Sequence, residues 1–258
     1  MTPALPPASS DPRAAWLMRL GDATLILGCR MTEWLSRAPT LEEDIALANL
    51  GLDLFGQTRA LYARACEIEG GTRDETALAF RRAEPDYRNP LIVEQPNGNF
   101  ADTMVRHLLF AAWATPLYER LVASSDMETA GVATRSTREM AYHLRHAGEW
   151  TIRLGDGTAE SHAKAQDALY DLWPYVPELF EADDLDREAA ASGFGVDPST
   201  LRADFDAAVD AVLARATLKK PAELRGQRGG RSGRHSEHLG HILAELQFLQ
   251  RAYPDARW

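Results

Sequence analysis

The sequence predicts an all-α protein, a ferritin-like four-helix bundle with additional helices toward its C-terminal end. Three observations predict it. Apolar residues recur at three- and four-residue steps through almost the whole chain. Strand-like alternation is absent, and so is any glycine-rich strand-to-helix turn. The four long periodic segments have a short connection after the first and a long crossover, residues 70–99, after the second, which is ferritin-like connectivity.

The first dozen residues are rich in Pro and Ser and read as a flexible tail, 1–12, ahead of a single helical domain over 13–258. The first helix is expected over about 13–37, where Leu17, Leu20, Thr24, Leu27, Met31 and Trp34 form one stripe. Pro39 and Thr40 end it, and Thr40 with Glu43 makes a capping box for the second helix, 41–69. That helix carries two stripes, one through Ile45, Leu52, Phe55 and Tyr62, the other through Leu47, Leu50, Leu54 and Leu61. Apolar on two sides, it reads as a central helix packed against several others. Gly70-Gly71 stops it, and the pattern weakens as far as Asn99, the expected N-cap of a third helix over about 100–124. A fourth helix, about 127–154, has Val132, Ser136, Met140, His143, Ala147 and Trp150 on one face. Further helices are expected at about 159–181, 198–217 and 236–252, with Asp197-Pro198 a clear start signal.

Composition narrows the function. Of 258 residues, 45% are hydrophobic and 26% charged, a soluble globular balance with enough length for a sizeable core. With Lys+Arg 28 against Asp+Glu 38 the net charge is −10, which opposes nucleic acid and anionic membranes. The longest mostly apolar run, Leu108–Tyr118, is about half a membrane span, and the N-terminus lacks the apolar core of a signal peptide. Two cysteines, Cys29 and Cys66, make neither a disulfide framework nor a thiolate metal site. These features place the chain in the cytoplasm, with no membrane or nucleic-acid partner.

A ferritin-like bundle poses one chemical question, whether it holds a di-iron centre. Such a centre needs a lone carboxylate on each of two helices and a Glu-x-x-His pair on each of the other two. Residues i and i+3 share a helix face, so both side chains reach one metal. The second helix offers Asp53-Leu-Phe-Gly56, in which glycine cannot ligate, and the fourth offers Met140-Ala-Tyr-His143, in which a thioether replaces a carboxylate. Residues 105–118 of the third helix contain no acidic side chain, and the first helix has only Asp22 and Glu33. Asp53, Gly56, Met140 and His143 are therefore vestigial positions, with at most two of six ligands, and no catalytic residue or metal is expected in this chain.

Two further clusters stand out. His235-Ser-Glu-His238-Leu-Gly-His241, continuing to Glu245, has metal-like spacing, but no fourth ligand is evident. The favoured reading is a helix start with Ser236 as N-cap and imidazoles at an interface. Arg225, Arg228, Arg231 and Arg234 lie in a basic, glycine-rich run within an acidic protein. The run reads as a docking or phosphate contact, as a mobile connector, or least as a nucleic-acid segment, since it lacks interleaved aromatics.

The strings TLEEDIALANLGLDLFGQ at 40–57, LIVEQPNGNFAD at 91–102, AYHLR at 141–145 and SEHLGHILAELQFLQ at 236–250 resemble the C subunits of bacterial ring 1,2-phenylacetyl-CoA epoxidases, in the bacterial multicomponent monooxygenase family. The resemblance runs from about residue 20 to 258. It implies a structural, non-catalytic subunit of a monooxygenase complex that epoxidises the aromatic ring of phenylacetyl-CoA in phenylacetate catabolism. Di-iron and substrate chemistry would belong to a related catalytic A subunit, the partner of this chain, with a further small subunit and an NADPH-linked reductase. The ligand count points the same way. The alternatives are a stand-alone di-iron oxidase, and a helical binding module that takes a phosphate-bearing ligand through residues 225–234.

Overall fold

The computed structural model describes residues 11–71, 73–222, 226–253 and 256. Among them there is no strand. The four long helices are α1 (Pro12–Thr32), α2 (Leu41–Glu69), α5 (Phe100–Leu121) and α6 (Met127–Gly155), in the ferritin-like order. Short helices α3 (Glu75–Phe80) and α4 (Leu91–Glu94) lie in the crossover. Then come α7 (Ala159–Leu172), α8 (Asp184–Ala191), α9 (Arg202–Arg215), α10 (Glu237–Leu246) and α11 (Phe248–Ala252). The chain divides into two compact units, one of residues 1–37, 44–95 and 229–258, the other of 38–43 and 96–228.

In the first unit α1 starts at Pro12, one residue before the expected start. Asp11 caps it, its carboxylate accepting from the Arg13 N–H at 2.9 Å, and proline takes the position where no N–H is needed. The helix ends five residues early, at Thr32, and Ser36 adopts φ +66° in the following turn. α1 is buried almost all round, whereas the Ile45–Leu52 stripe of α2 is partly open: Ile45 is 55% exposed and Leu52 64%. The centrally packed helix is thus α1, not α2. Small residues let the two helices approach closely. A Cβ on Gly21 would overlap the Tyr62 ring, and one on Gly28 would sit 2.7 Å from the Phe55 ring. The Thr24 and Thr58 hydroxyls, buried in the same packing, lie 2.8 Å apart.

In the second unit α5 is buried along most of its length and packs against α6, α7 and α9. Its start is where the sequence places it. Asn99 accepts from the Ala101 N–H at 2.8 Å, and Asp102 accepts from the Asn99 N–H at 2.7 Å, a capping box. Asn99→Ala removes one half of that box and is expected to cost about 1 kcal/mol. Thermal unfolding of the variant should show a Tm lower by about 2–4 °C; an unchanged Tm would mean the box contributes nothing.

The later helices are more broken than periodicity alone suggests. The helix expected over 159–181 becomes a 3-10 segment from Trp173 to Phe180, where Pro174 and Pro177 remove two backbone donors. The helix expected over 198–217 opens with a 3-10 turn at Pro198–Leu201, and α8, which the sequence reading lacks, is set up by Asp183 and Asp186 as a capping box. The C-terminal helix breaks at Gln247. That buried amide donates to the Tyr87 hydroxyl at 3.0 Å and the Arg82 carbonyl at 3.1 Å.

Candidate functional site

In the second unit, Thr129, Ala133, Ser136, Met140, His143, Ala147 and Thr151 form the buried face of α6. Met140 and His143, one turn apart, are both fully buried, as expected of residues on one face. His107, from α5, is also fully buried and lies against His143, ring centroids 5.0 Å apart and tilted by 40°. Burial holds the His107 pKa well below its ordinary 6.5, with His143, His146 and Arg106 adding to the effect. His107 is therefore neutral at pH 7. Neither of its ring nitrogens has a hydrogen-bond partner among the described residues. One turn further along α6, His146 Nε2 lies 2.9 Å from Glu43 Oε2, both side chains largely covered.

In the first unit Asp53 is half-buried and Gly56 exposed, and a Cβ on Gly56 would meet nothing within 4 Å. The carboxylates of α1 and its C-cap residue, Asp22 and Glu33, are engaged by cations. Asp22, fully buried, accepts from Arg82, from the Tyr62 hydroxyl at 2.5 Å and from the Arg88 N–H at 2.7 Å. Glu33 accepts from Arg30 at 2.9 Å.

These residues fail the requirements of a di-iron centre. Glycine at 56 has no donor atom, and the thioether at 140 is a soft ligand where iron chemistry of this type uses carboxylates. Among the described residues no group of three or more His, Cys, Asp or Glu side chains is placed to hold a metal ion. Burial pushes the Cys29 and Cys66 thiols up to about 12 and about 11, so neither offers a thiolate at neutral pH.

Of the four arginines in the basic run, Arg225 lies outside the described residues. Arg228 pairs with Glu181 at 2.7 Å, on a largely exposed side chain. Arg231 is half-buried and Arg234 exposed. The glycines of this run are not slack. A Cβ on Gly230 would overlap the Asn89 carbonyl oxygen, and one on Gly233 that of Pro85. Residues 229–234 therefore lie pressed against the crossover. At the start of α10, Ser236 is the N-cap residue and Glu237 the first-turn acid, as the sequence suggests; His238 is half-buried, and His241 and Glu245 are exposed.

Residues 2–258 match the family model described as phenylacetic acid catabolic protein. The chain belongs to that family. The C subunit of the 1,2-phenylacetyl-CoA epoxidase of Escherichia coli (strain K12) is 47% identical over 244 residues, which span 95% of this chain and 98% of that relative.

Two buried ionic clusters escape the sequence pattern. One is Asp22–Arg82–Tyr62; a lone Asp in the apolar run of α1 was the available signal. The other joins Glu94 to His235. Glu94 is fully buried; its Oε2 lies 3.0 Å from His235 Nδ1 and 3.1 Å from the Asn89 amide nitrogen, and its Oε1 accepts from the Ser236 N–H at 2.6 Å. Glu94 stands in a string that carries the family resemblance, and His235 directly precedes another. Turn residues hid Glu94, and helical spacing drew attention to His238 and His241 instead.

Proposed function

We propose that this chain is the non-catalytic structural C subunit of a multisubunit cytoplasmic epoxidase. The complex would act on the aromatic ring of phenylacetyl-CoA in aerobic phenylacetate catabolism. The related A subunit would hold the di-iron centre and perform the oxygen chemistry, with electrons supplied by a reductase. This chain alone would be inactive and free of iron.

The observation that supports the non-catalytic role best is the donor set. Asp53-x-x-Gly56 and Met140-x-x-His143 stand where Glu-x-x-His pairs would be needed. What this chain supplies instead is rigidity. Ligand geometry in a metal enzyme depends on the shell that holds the ligand-bearing helices, and a helical partner with a fixed core can be part of that shell. Ile45 and Leu52 are exposed apolar side chains on one face of α2, which suits a lasting contact between subunits.

Elemental analysis of the chain expressed alone in iron-replete cells tests the reading. The expected value is near zero iron per chain, with oxygenase activity returning only when the A subunit and reductase are added. A value of about two, as in a filled di-iron bundle, would overturn it.

A further inference from the structure

The proposed structural role leaves the Glu94–His235 cluster unused, and its geometry carries a consequence of its own. The His235 side chain is fully buried. Its Nδ1 faces the Glu94 carboxylate at 3.0 Å, and its Nε2 faces the Tyr87 carbonyl oxygen at 3.0 Å. Carboxylates and carbonyls only accept. A neutral imidazole carries one N–H and would leave a lone pair facing one of these two oxygens, whereas an imidazolium donates to both. We propose that His235 is a buried imidazolium whose proton clamps residues 229–236 onto the 87–94 segment, so that its loss at alkaline pH loosens this stretch of chain.

The clamped segment is built to lie flat. Gly229, at φ +139°, and Gly233, at φ +80°, take conformations open to glycine, and the Arg234 N–H closes the turn on the Gly229 carbonyl at 2.9 Å. Close approach of Gly230 to Asn89 and of Gly233 to Pro85 leaves no room for side chains. The next residue after the histidine, Ser236, gives its N–H to the same Glu94 carboxylate. The clamp also fixes the base from which the exposed Arg234 is presented.

The charges around the ring favour the proton. Glu94, from α4, is in direct contact. From α1, Asp22 adds negative potential but is itself paired with Arg82, and Arg30 donates to the Glu94 backbone carbonyl rather than to its carboxylate. Burial by itself opposes the charge; the hydrogen bond and charge of Glu94, with the Tyr87 carbonyl and Asp22, outweigh it and raise the His235 pKa above 6.5. The sign follows. A folded pKa above the unfolded one gives a contribution that is complete below about pH 6.5 and fades as pH rises through the folded value.

Nitrogen-15 NMR of the unsubstituted full chain tests the charge, and hydrogen exchange of the Ser236 amide tests the clamp. At pH 7 both ring nitrogens of His235 should carry protons. Ser236 exchange, corrected for intrinsic base catalysis, should accelerate roughly tenfold over one pKa unit as pH rises past the transition, while the Leu108 amide in α5 stays protected. His235→Gln should exchange fast already at pH 7 and show no further pH dependence. A neutral tautomer at pH 7, a flat corrected exchange rate, or an acceleration shared by Leu108 would each overturn the proposal.

Discussion

Asp22→Ala is expected to lower the stability of the chain by about 3–5 kcal/mol, because it leaves the Arg82 guanidinium buried without its counter-charge. Asp22 is 0% exposed and the Arg82 side chain 5%. The carboxylate accepts from the guanidinium, the Tyr62 hydroxyl and the Arg88 N–H, so its loss orphans three donors from α2 and the crossover. Arg82 is further held by Leu78 and Asp86 carbonyls and stacks on the Tyr87 ring with its central carbon 4.1 Å from the centroid. Tyr62→Phe keeps the ion pair and loses one hydrogen bond to a charged group, a cost of about 1.5–3 kcal/mol. Asp22→Leu combined with Arg82→Met should recover much of the loss, since apolar replacement of a whole buried pair is often neutral or stabilising. Urea unfolding of the wild type and the three variants decides it. A cost below about 1 kcal/mol for Asp22→Ala would show that the pair is dispensable.

This network explains why the long helices were legible in the sequence and the crossover was not. α2, α5 and α6 carry their own start signals in Thr40, Asn99 and Asp126, and their apolar periodicity is local. Residues 75–94 have no such period, yet Tyr87, Leu91, Ile92 and Val93 are buried there. Their order comes from distant partners, Asp22, Gln247 and His235, whose separation in sequence no window spans. The same holds at the candidate site. That Gly56 has no side-chain donor and Met140 no carboxylate could be read directly, because what a residue lacks is a property of that residue. The ring contact of His107 with His143 could not, because it needs the relative register of α5 and α6. Periodicity also misassigned the central helix, since an apolar stripe on α2 looks alike whether a neighbour within the chain covers it or not.

That uncovered stripe leads to the second large effect. On the proposed role, Leu52→Asp is expected to abolish co-purification with an A subunit while leaving the fold of the chain unchanged. Leu52 is 64% exposed and Ile45, two turns earlier on the same face of α2, is 55% exposed. Exposed substitutions of this kind usually shift stability by no more than about 0.5 kcal/mol, so the variant should unfold at the wild-type denaturant concentration. At an interface the outcome is different. A carboxylate placed within an apolar contact must be desolvated without a partner, and loss of a central anchor costs about 2 kcal/mol or more, roughly 30-fold in Kd. Next to Leu52 along the helix, Phe55 lines a cleft of about 480 Å³ with Leu25, Phe80 and Leu246, bordered by the Arg59–Glu75 pair. Apolar contact surface thus continues from the helix face into a concave site where a partner side chain can be enclosed. Tyr170→Asp, at an exposed aromatic of the other unit, serves as the comparison. Retained pull-down with Leu52→Asp would remove α2 from the interface with the A subunit, and loss with Tyr170→Asp instead would move that interface to α7.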